Sequence, residues 1–221
     1  MPDRLRLLEA LERQLRQSIG ELAPQCQFIT AFLVALLAER TISLAWIAQV
    51  MPTNAQPESN RKRIQRFLDD ARATPTAFAK IIGAYLPARP WIVAIDRTNW
   101  FWGKTPLNLL VLAVVENGVA IPLLWMALPR EGASDTAQRI ALLSQFLTLF
   151  GRTRIEYVTG DREFIGKDWI SWLHEKGVPF RLRLRCCDVV TDQRGRALEA
   201  AALFTRTVSC RAHCLLPRTP L

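Results

Sequence analysis

Two short apolar runs, each followed at once by an aspartate, place the strongest constraint on the fold of this chain. The first run covers residues 91–95 and precedes Asp96, and the second covers residues 155–160 and precedes Asp161. Such runs are typical of strands that are buried on both faces of a sheet. Because functional residues in these sheets collect where strands end, we expect both aspartates at one edge of a sheet.

A pair of carboxylates at one sheet edge offers hard oxygen ligands to a divalent cation. Such ligands suit Mg²⁺, or Mn²⁺, and the phosphodiester chemistry that these ions assist. Asp96 is followed by Arg97, and Asp161 is followed by Arg162 and Glu163. These polar neighbours could hold a liganding carboxylate in place. The alternative for each aspartate taken alone is a structural role, in which Asp96 caps a turn and pairs with Arg97.

The order of elements after residue 90 predicts the fold class. Asn117-Gly118 joins two of the strand-like runs and is a strong hairpin signal. A three-stranded meander followed by two helical crossovers must return parallel strands. This order predicts an α/β, ribonuclease-H-like mixed sheet with flanking helices. The expected strands cover 91–96, 108–116, 118–126, 155–160 and 178–184, and the expected helices cover about 134–150 and 166–176.

The residues before Pro87 and Pro90 have helical periodicity and predict an all-α region. A fourth helix is expected to begin at Ser59 or Asn60 as its N-cap. The other expected helices cover 3–19, 27–39, 43–51 and 75–85. We therefore predict three parts: a helical region over 1–86, a catalytic core over 87–185, and an atypical tail without regular structure over 186–221.

A formal net charge of +9 favours a polyanionic partner, and DNA is the first candidate. The fourth predicted helix follows the third across a turn, as in an overlong helix-turn-helix, and its cations could reach phosphates or base edges. A solvated face of a helical bundle is the alternative. The candidate DNA-binding residues are Arg61, Lys62, Arg63, Arg66 and Lys104, the last beside Trp100 and Trp102, which could instead form a packed aromatic cluster.

Several other features argue for an intracellular protein. The longest apolar run, 28–38, is too short to span a bilayer, and the charged N-terminus is unlike a signal peptide. Five cysteines, an odd number, do not resemble a secreted disulfide framework. We expect a cytoplasmic, nucleoid-associated protein without a membrane partner. Cys210, His213 and Cys214 lack the spacing of a zinc site.

Four segments together resemble a known family. They are Ile-Asp-Arg-Thr-Asn-Trp with Gly103-Lys104, the hairpin over 108–122, the pattern of Gly132, Ser134, Arg139, Leu142 and Leu143, and Gly-Asp-Arg-Glu-Phe-Ile-Gly. They resemble the insertion-sequence transposases of the family usually numbered four, within the DDE superfamily. The resemblance covers about residues 26–185.

The resemblance implies a ribonuclease-H-like catalytic domain behind a helical DNA-binding region. It also implies Mg²⁺-dependent hydrolysis at transposon ends and strand transfer into double-stranded target DNA. Asp96 and Asp161 match the first two metal-binding acids of the family's triad. A homo-oligomer, or a complex with a full-length transposase, is the partner that the resemblance implies.

The chain departs from the family in its third motif, Y-x-x-R-x-x-x-E-x-x-x-x-x-x-K, which carries the third acid. No tyrosine follows Tyr157, so this motif is absent from the sequence. We therefore expect a truncated or frameshifted transposase that is inactive on its own. Two alternatives stay open: a non-catalytic DNA-binding fragment that regulates the full-length transposase, and a nuclease in which Glu199 completes the site.

Overall fold

The computed structural model describes residues 2–70, 74–129, 132–191 and 195–204. The chain divides into two compact units, Met1–Leu86 and Pro87–Leu221. The division falls at Pro87, where the sequence places the boundary between the helical region and the strand-rich region. We call the two parts the helical unit and the sheet unit.

Helices make up the described part of the helical unit. Proline is the first residue of three of these helices, where its missing N–H costs nothing and its fixed φ suits the helix. The helices are α1 (Pro2–Ser18), α2 (Cys26–Glu39), α3 (Leu44–Val50), α4 (Pro57–Leu68) and α5 (Pro75–Tyr85), with a 3₁₀ turn over Gly20–Gln25 between α1 and α2.

The start of α4 differs from the prediction. The helix begins at Pro57 after Gln56, and not at a cap formed by Ser59 or Asn60. Proline at the first helical position sets the start of the helix three or four residues earlier than the polar cap signal suggested. Asn60 therefore lies one turn inside the helix, where its side chain is 1% exposed.

Asn60 is instead a buried connector between α3, the following loop and α4. Its amide nitrogen donates to the carbonyl of Ala48 at 3.2 Å and to that of Ala55 at 3.4 Å. Its amide oxygen accepts a hydrogen bond from the Thr53 hydroxyl at 2.9 Å. Because buried polar groups are costly when unpaired, these bonds fix the loop between the two helices.

The core of the helical unit is built around α2. Phe28, Ile29 and Ala35 are among its buried residues. The helical segment Leu22–Glu39 is longer than the expected run of 28–38, because the 3₁₀ turn continues into α2. By length and composition alone this segment could cross a membrane, but 44% of it is buried inside the protein. Its apolar character is therefore explained by its place in the core.

The sheet unit contains a five-stranded mixed sheet in the order β3-β2-β1-β4-β5. The pairs β1–β2 and β2–β3 are antiparallel, and the pairs β1–β4 and β4–β5 are parallel. This topology confirms the predicted ribonuclease-H-like fold. The elements are β1 (Trp91–Trp102), β2 (Thr105–Glu116), β3 (Val119–Ala127), α6 (Thr136–Phe150), β4 (Ile155–Gly160), α7 (Lys167–Glu175) and β5 (Phe180–Leu182).

Local signals fix two of the connections. Asn117 and Gly118 both have positive φ, 51° and 79°, as the predicted tight hairpin between β2 and β3 requires. Asp135 caps α6 by accepting a hydrogen bond from the Gln138 backbone at 2.7 Å, and Gln138 reaches back to the Asp135 backbone at 2.9 Å. This capping box sets the start of α6.

Alternating residues of β1 face the core of the sheet unit. Trp91, Val93 and Ile95 are buried. The Trp91 ring packs against Phe146 and Phe150 of α6, with ring centroids 6.1 Å and 5.2 Å apart. The same face of β1 therefore anchors α6, and the intervening residues of β1 point to the other face of the sheet.

β1 continues six residues beyond the predicted end at Asp96. It pairs with β2 as far as Trp102, opposite Thr105, but it pairs with β4 only as far as Ile95, opposite Gly160. The apolar run predicted the shorter strand because the polar residues after Asp96 interrupt it. These residues remain in the strand because β2 continues beside them.

Part of the predicted tail has regular structure. A two-stranded antiparallel sheet pairs β6 (Val189–Thr191) with β7 (Ala197–Glu199), and a short helix α8 (Ala200–Phe204) follows. Residues 205–221, with Cys210, His213 and Cys214, lie outside the described residues. The origin of residues 186–221 in a frameshift stays a prediction.

Candidate catalytic edge of the sheet

The structure brings Asp96 and Asp161 to the same edge of the sheet. The last aligned pair of the parallel strands β1 and β4 is Ile95 with Gly160, and each aspartate is the next residue in its chain. Neighbouring strands lie about 5 Å apart. Two residues that are distant in sequence are therefore adjacent in space, as the apolar runs predicted.

Gly160 allows this close approach of the two strands. A Cβ atom added to Gly160 would lie 2.8 Å from Cγ2 of Ile95, 3.1 Å from Cδ2 of Phe164 and 3.3 Å from the Ile95 carbonyl oxygen. Ordinary carbon–carbon contacts are about 3.5–4.0 Å. The glycine before Asp161 therefore serves packing, and its neighbour Ile95 is the residue that precedes Asp96.

The Asp96 side chain is exposed and turned toward its own backbone. Its Oδ1 accepts a hydrogen bond from the Arg97 N–H at 2.8 Å. The guanidinium of Arg97 is engaged elsewhere, with Asn99 at 2.9 Å and with Glu163. The alternative in which the Arg97 side chain pairs with Asp96 is therefore not what the structure contains.

Asp161 is exposed, and its pKa is lowered from the ordinary value of an aspartate. The largest cause is a hydrogen bond from the Arg162 backbone N–H, and the nearby charge of Arg183 adds to it while partial desolvation opposes it. Nη1 of Arg183 lies 3.6 Å from Oδ1 of Asp161. Asp161 is therefore a carboxylate at neutral pH, which is the form that binds cations.

An ion pair ties the segment after Asp161 to the strand that carries Asp96. Nη2 of Arg97 lies 3.1 Å from Oε2 of Glu163, and Nε of Arg97 lies 3.4 Å from Oε1. Both side chains are mostly buried. A two-point contact between a guanidinium and a carboxylate fixes orientation as well as distance. It therefore restrains the separation of the two aspartates.

A buried arginine on α6 also contacts the turn after Asp161. Arg139 on α6 is 5% exposed, and it donates to the Ser134 hydroxyl at 3.0 Å and to the Glu163 carbonyl at 3.2 Å. Its guanidinium lies 5.3 Å from the centre of the Phe164 ring. Burial lowers the pKa of Arg139. The turn at 162–164 is thus bound by two arginines, Arg97 from β1 and Arg139 from α6.

The third carboxylate near this edge, that of Glu163, is paired with Arg97. The described residues contain no group of three or more histidine, cysteine, aspartate or glutamate side chains that could hold a metal ion. Glu199 lies exposed at the end of β7, and Glu175 lies exposed beside Lys176, at 3.6 Å. Two carboxylates fit one Mg²⁺ that keeps water or phosphate oxygens as its other ligands.

The cations of α4 do not all point the same way. Arg61 is paired with Glu58, with nitrogen–oxygen distances of 3.0 Å and 2.8 Å. The guanidinium of Arg63 lies over the Phe28 ring, 5.1 Å from its centre. Lys62 and Arg66 are exposed and one turn apart, so they share a face of the helix. Of the four predicted contacts, Lys62 and Arg66 are the best placed to reach a phosphate.

The remaining candidate, Lys104, is exposed in the turn between β1 and β2. Trp100 and Phe101, near the same turn, are 55% and 66% exposed. These exposed fractions argue against a packed aromatic cluster for Trp100. The side chain of Trp102 lies outside the described side chains.

Sequence reasoning missed the cation beside the second aspartate. Arg181 and Arg183 alternate with leucine through β5 and beyond, which places them on one face of the sheet. Arg183 contacts Asp161, and Arg181 lies over the Tyr157 ring at 3.9 Å. The alternation of arginine with leucine in the sequence could have predicted cations on one face of the strand. The parallel pairing of β5 with β4 brings one of them, Arg183, to Asp161.

No family model matches the chain, and no curated protein matches it. Solved structures with a partial likeness are the HTLV-2 integrase catalytic core domain in complex with magnesium, in a dimeric form (TM-score 0.34, 14% identity, 43% of this chain and 62% of that chain) and in a trimeric form (0.34, 15%, 44% and 63%). Another is a simian T-cell lymphotropic virus intasome in complex with PP2A regulatory subunit B56 gamma (0.35, 14%, 44% and 33%). The chain spans less than two thirds of each of these proteins.

Proposed function

We propose that the chain acts in DNA transposition, as an insertion-sequence transposase of the DDE type whose metal site is incomplete. The observation that carries the proposal is the pair Asp96 and Asp161, which follow the last aligned residues of parallel strands β1 and β4. The exposed cations Lys62 and Arg66 in the helical unit support a role for double-stranded DNA as the partner.

The residues of the sheet edge have separate tasks in this proposal. Asp96 and Asp161 would hold Mg²⁺, or Mn²⁺, which when bound supplies charge neutralisation at a phosphate and a lower pKa for an attacking water. Arg97 and Glu163 tie the turn after Asp161 to the strand that carries Asp96. Arg183 balances the charge of Asp161.

The same donor set argues for weak or absent cleavage by the chain on its own. Two metal ions need about six oxygen ligands each. The described residues contain no group of three or more histidine, cysteine, aspartate or glutamate side chains that could hold a metal ion, and Glu163 is paired with Arg97. A regulatory role, in which the chain occupies transposon ends or joins a full-length transposase without cutting, is the second candidate. The exposed face of α4 favours it, because DNA binding through Lys62 and Arg66 requires no metal.

DNA binding is tested with the DNA that flanks the coding sequence. We expect Lys62→Ala with Arg66→Ala to weaken duplex binding and to reduce the slope of log affinity against log salt concentration by about two. Arg61→Ala serves as the matched control on the same helix, because its guanidinium already pairs with Glu58. An unchanged slope in the double variant would reject α4 as the contact.

Catalysis is tested with a supercoiled plasmid that carries the same flanking DNA, in Mg²⁺ or Mn²⁺. We expect little or no cleavage by the wild-type chain, and loss of any residual cleavage in Asp96→Asn and Asp161→Asn with DNA binding retained. Efficient excision and joining by the purified chain would contradict the incomplete site. Residual cleavage that survives both substitutions would contradict the assignment of the two aspartates.

A further inference from the structure

The hairpin formed by β1 and β2 extends beyond the sheet edge that carries Asp96 and Asp161 as an arm, which is bordered by β3 only at its base, where Leu109 pairs with Ala127. We define the hairpin arm as residues 97–109. Within it β1 stays paired with β2 up to Trp102, whereas pairing with β4 ends at Ile95. None of the described strands is hydrogen-bonded to the other edge of β1 over 97–102. The arm therefore projects from the sheet next to Asp96.

One face of the arm continues the face that carries Asp96. Successive side chains in a strand alternate between faces, so Asp96, Thr98 and Trp100 lie in one row. Phe101 points to the opposite face. The Trp100 side chain is 55% exposed, although a residue of this size is usually covered in a folded protein. The row thus leads from a carboxylate to an uncovered indole.

The charge of the arm favours an anionic partner. The arm contains two cations, Arg97 and Lys104, and no acidic residue. Lys104 lies exposed in the turn at the far end of the arm. Arg97 pairs with Glu163 and lies on the face opposite Trp100, so Lys104 is the available cation of the arm. An exposed tryptophan with a cation on the same arm is a combination that binds unpaired nucleotides, through base stacking and phosphate contacts. Lys104 at the far end of the arm favours nucleic acid over a protein partner, because lysine is depleted at protein interfaces.

We propose that the Trp100 face of the hairpin arm binds an unpaired segment of a DNA strand that extends from the catalytic edge, with a base stacked on the indole. This inference rests on the proposed function. Four residues of strand separate Asp96 from Trp100, a distance of about 13 Å. One DNA strand rises about 3.4 Å per nucleotide, so the stacked base lies about four nucleotides or fewer from the phosphate at the aspartates.

The proposal is tested on the full chain in EDTA, with two fluorescent DNAs that differ only in a single-stranded extension of about four nucleotides. Fluorescence anisotropy gives the affinity for each. We expect the wild-type chain to prefer the extended duplex. Trp100→Ala is expected to weaken binding to the extended duplex about 5- to 150-fold and to leave the blunt duplex nearly unchanged.

Matched variants separate stacking from apolar contact and from fold damage. Trp100→Phe keeps a ring and is expected to retain most of the preference, whereas Trp100→Leu is expected to lose it as Trp100→Ala does. Trp46 on α3 is 58% exposed and Phe101 lies on the opposite face of the arm. Trp46→Ala and Phe101→Leu are expected to keep the preference.

Several outcomes would overturn the proposal. They are an absence of preference in the wild-type chain, an equal loss on both DNAs in Trp100→Ala, and binding by Trp100→Leu that matches Trp100→Phe. Loss of self-association in Trp100→Ala with an unchanged DNA preference would assign the surface to a second copy of the chain instead. Because the assay contains no divalent metal, a failure to cleave DNA rejects only the catalytic part of the proposed function.

Discussion

Replacing Gly160 by alanine is the perturbation for which the structure gives the clearest magnitude. The added Cβ would lie 2.8 Å from Cγ2 of Ile95, which is about 1 Å closer than an ordinary carbon–carbon contact. Ile95 cannot turn away easily, because it is buried and its β-branched side chain is restricted at χ1. Overpacking of this kind costs about 1–3 kcal/mol. We expect the free energy of unfolding of the sheet unit to fall by about 2 kcal/mol.

The assay is urea denaturation followed by tryptophan fluorescence in a Trp46→Phe background. Trp46 is the one tryptophan of the helical unit, so the remaining tryptophans all report on the sheet unit. With a slope of about 2 kcal/mol per molar urea, the expected loss lowers the midpoint by about 1 M. Gly166→Ala is the matched control, because Gly166 has an extended backbone with φ of 176° and the nearest atom to its added Cβ would be 4.0 Å away.

A second background identifies the atom responsible. Ile95→Leu removes Cγ2 and keeps the side-chain volume, so Gly160→Ala is expected to cost about 1 kcal/mol less in that background. The contacts with Phe164 and with the Ile95 carbonyl remain, so the cost should not vanish. Close contact between the Cβ added at position 160 and Cγ2 of Ile95 is refuted if Gly160→Ala has wild-type stability. It is also refuted if Gly160→Ala lowers the free energy of unfolding equally in the wild-type and Ile95→Leu backgrounds.

Three further predictions concern other parts of the structure. Asn60→Ala should lower the free energy of unfolding of the helical unit by about 1–3 kcal/mol, because it leaves buried hydrogen-bonding groups unpaired. Amide hydrogen exchange of α3 and α4 measures this loss. An equal effect of Ser59→Ala, at an exposed position, would contradict the prediction. Arg139→Met should lower the free energy of unfolding of the sheet unit, measured by urea denaturation, by about 1–3 kcal/mol, since the Ser134 hydroxyl and the Glu163 carbonyl lose their buried donor. Wild-type stability would show that these hydrogen bonds do not stabilise the sheet unit. The NMR titration of the Asp161 carboxyl should have its midpoint below 3.8, and its pKa should stay lowered in Arg183→Ala, because the largest cause is a backbone N–H. Because the pKa of Asp161 is lower in the folded state, its contribution to stability is present above pH 3.8 and is lost as the pH falls through the folded pKa. A titration midpoint at or above 3.8 would contradict the hydrogen bonding described for Asp161.

The sequence predicts the fold class because its apolar runs and turn signals are local. The runs before Asp96 and Asp161 indicate buried strands, and Asn117-Gly118 indicates the hairpin. The rule that crossovers return parallel strands then places the two aspartates side by side. Each of these steps depends on neighbouring residues or on a general rule of topology, and the register of β1 with β4 agrees with them.

Features that depend on distant contacts were not predictable in the same way. The six-residue extension of β1 exists because β2 runs beside it, which no pattern in residues 97–102 indicates. The Arg97–Glu163 ion pair and the contact of Arg183 with Asp161 require the parallel neighbours β4 and β5 to be in place. Likewise, Asn60 has the composition of a helix cap, and only the packing of α3 against α4 turns it into a buried connector.

The central claim is that Asp96 and Asp161 together bind a divalent cation. Isothermal titration calorimetry of the full chain with Mg²⁺, and with Mn²⁺ as the tighter spectroscopic probe, tests it directly. We expect one site in the wild-type chain, a loss of affinity of about tenfold or more in both Asp96→Asn and Asp161→Asn, and no change in Asp168→Asn, whose carboxylate is exposed on α7. A wild-type chain that binds neither ion, or an Asp96→Asn variant that binds as the wild type does, would contradict the account.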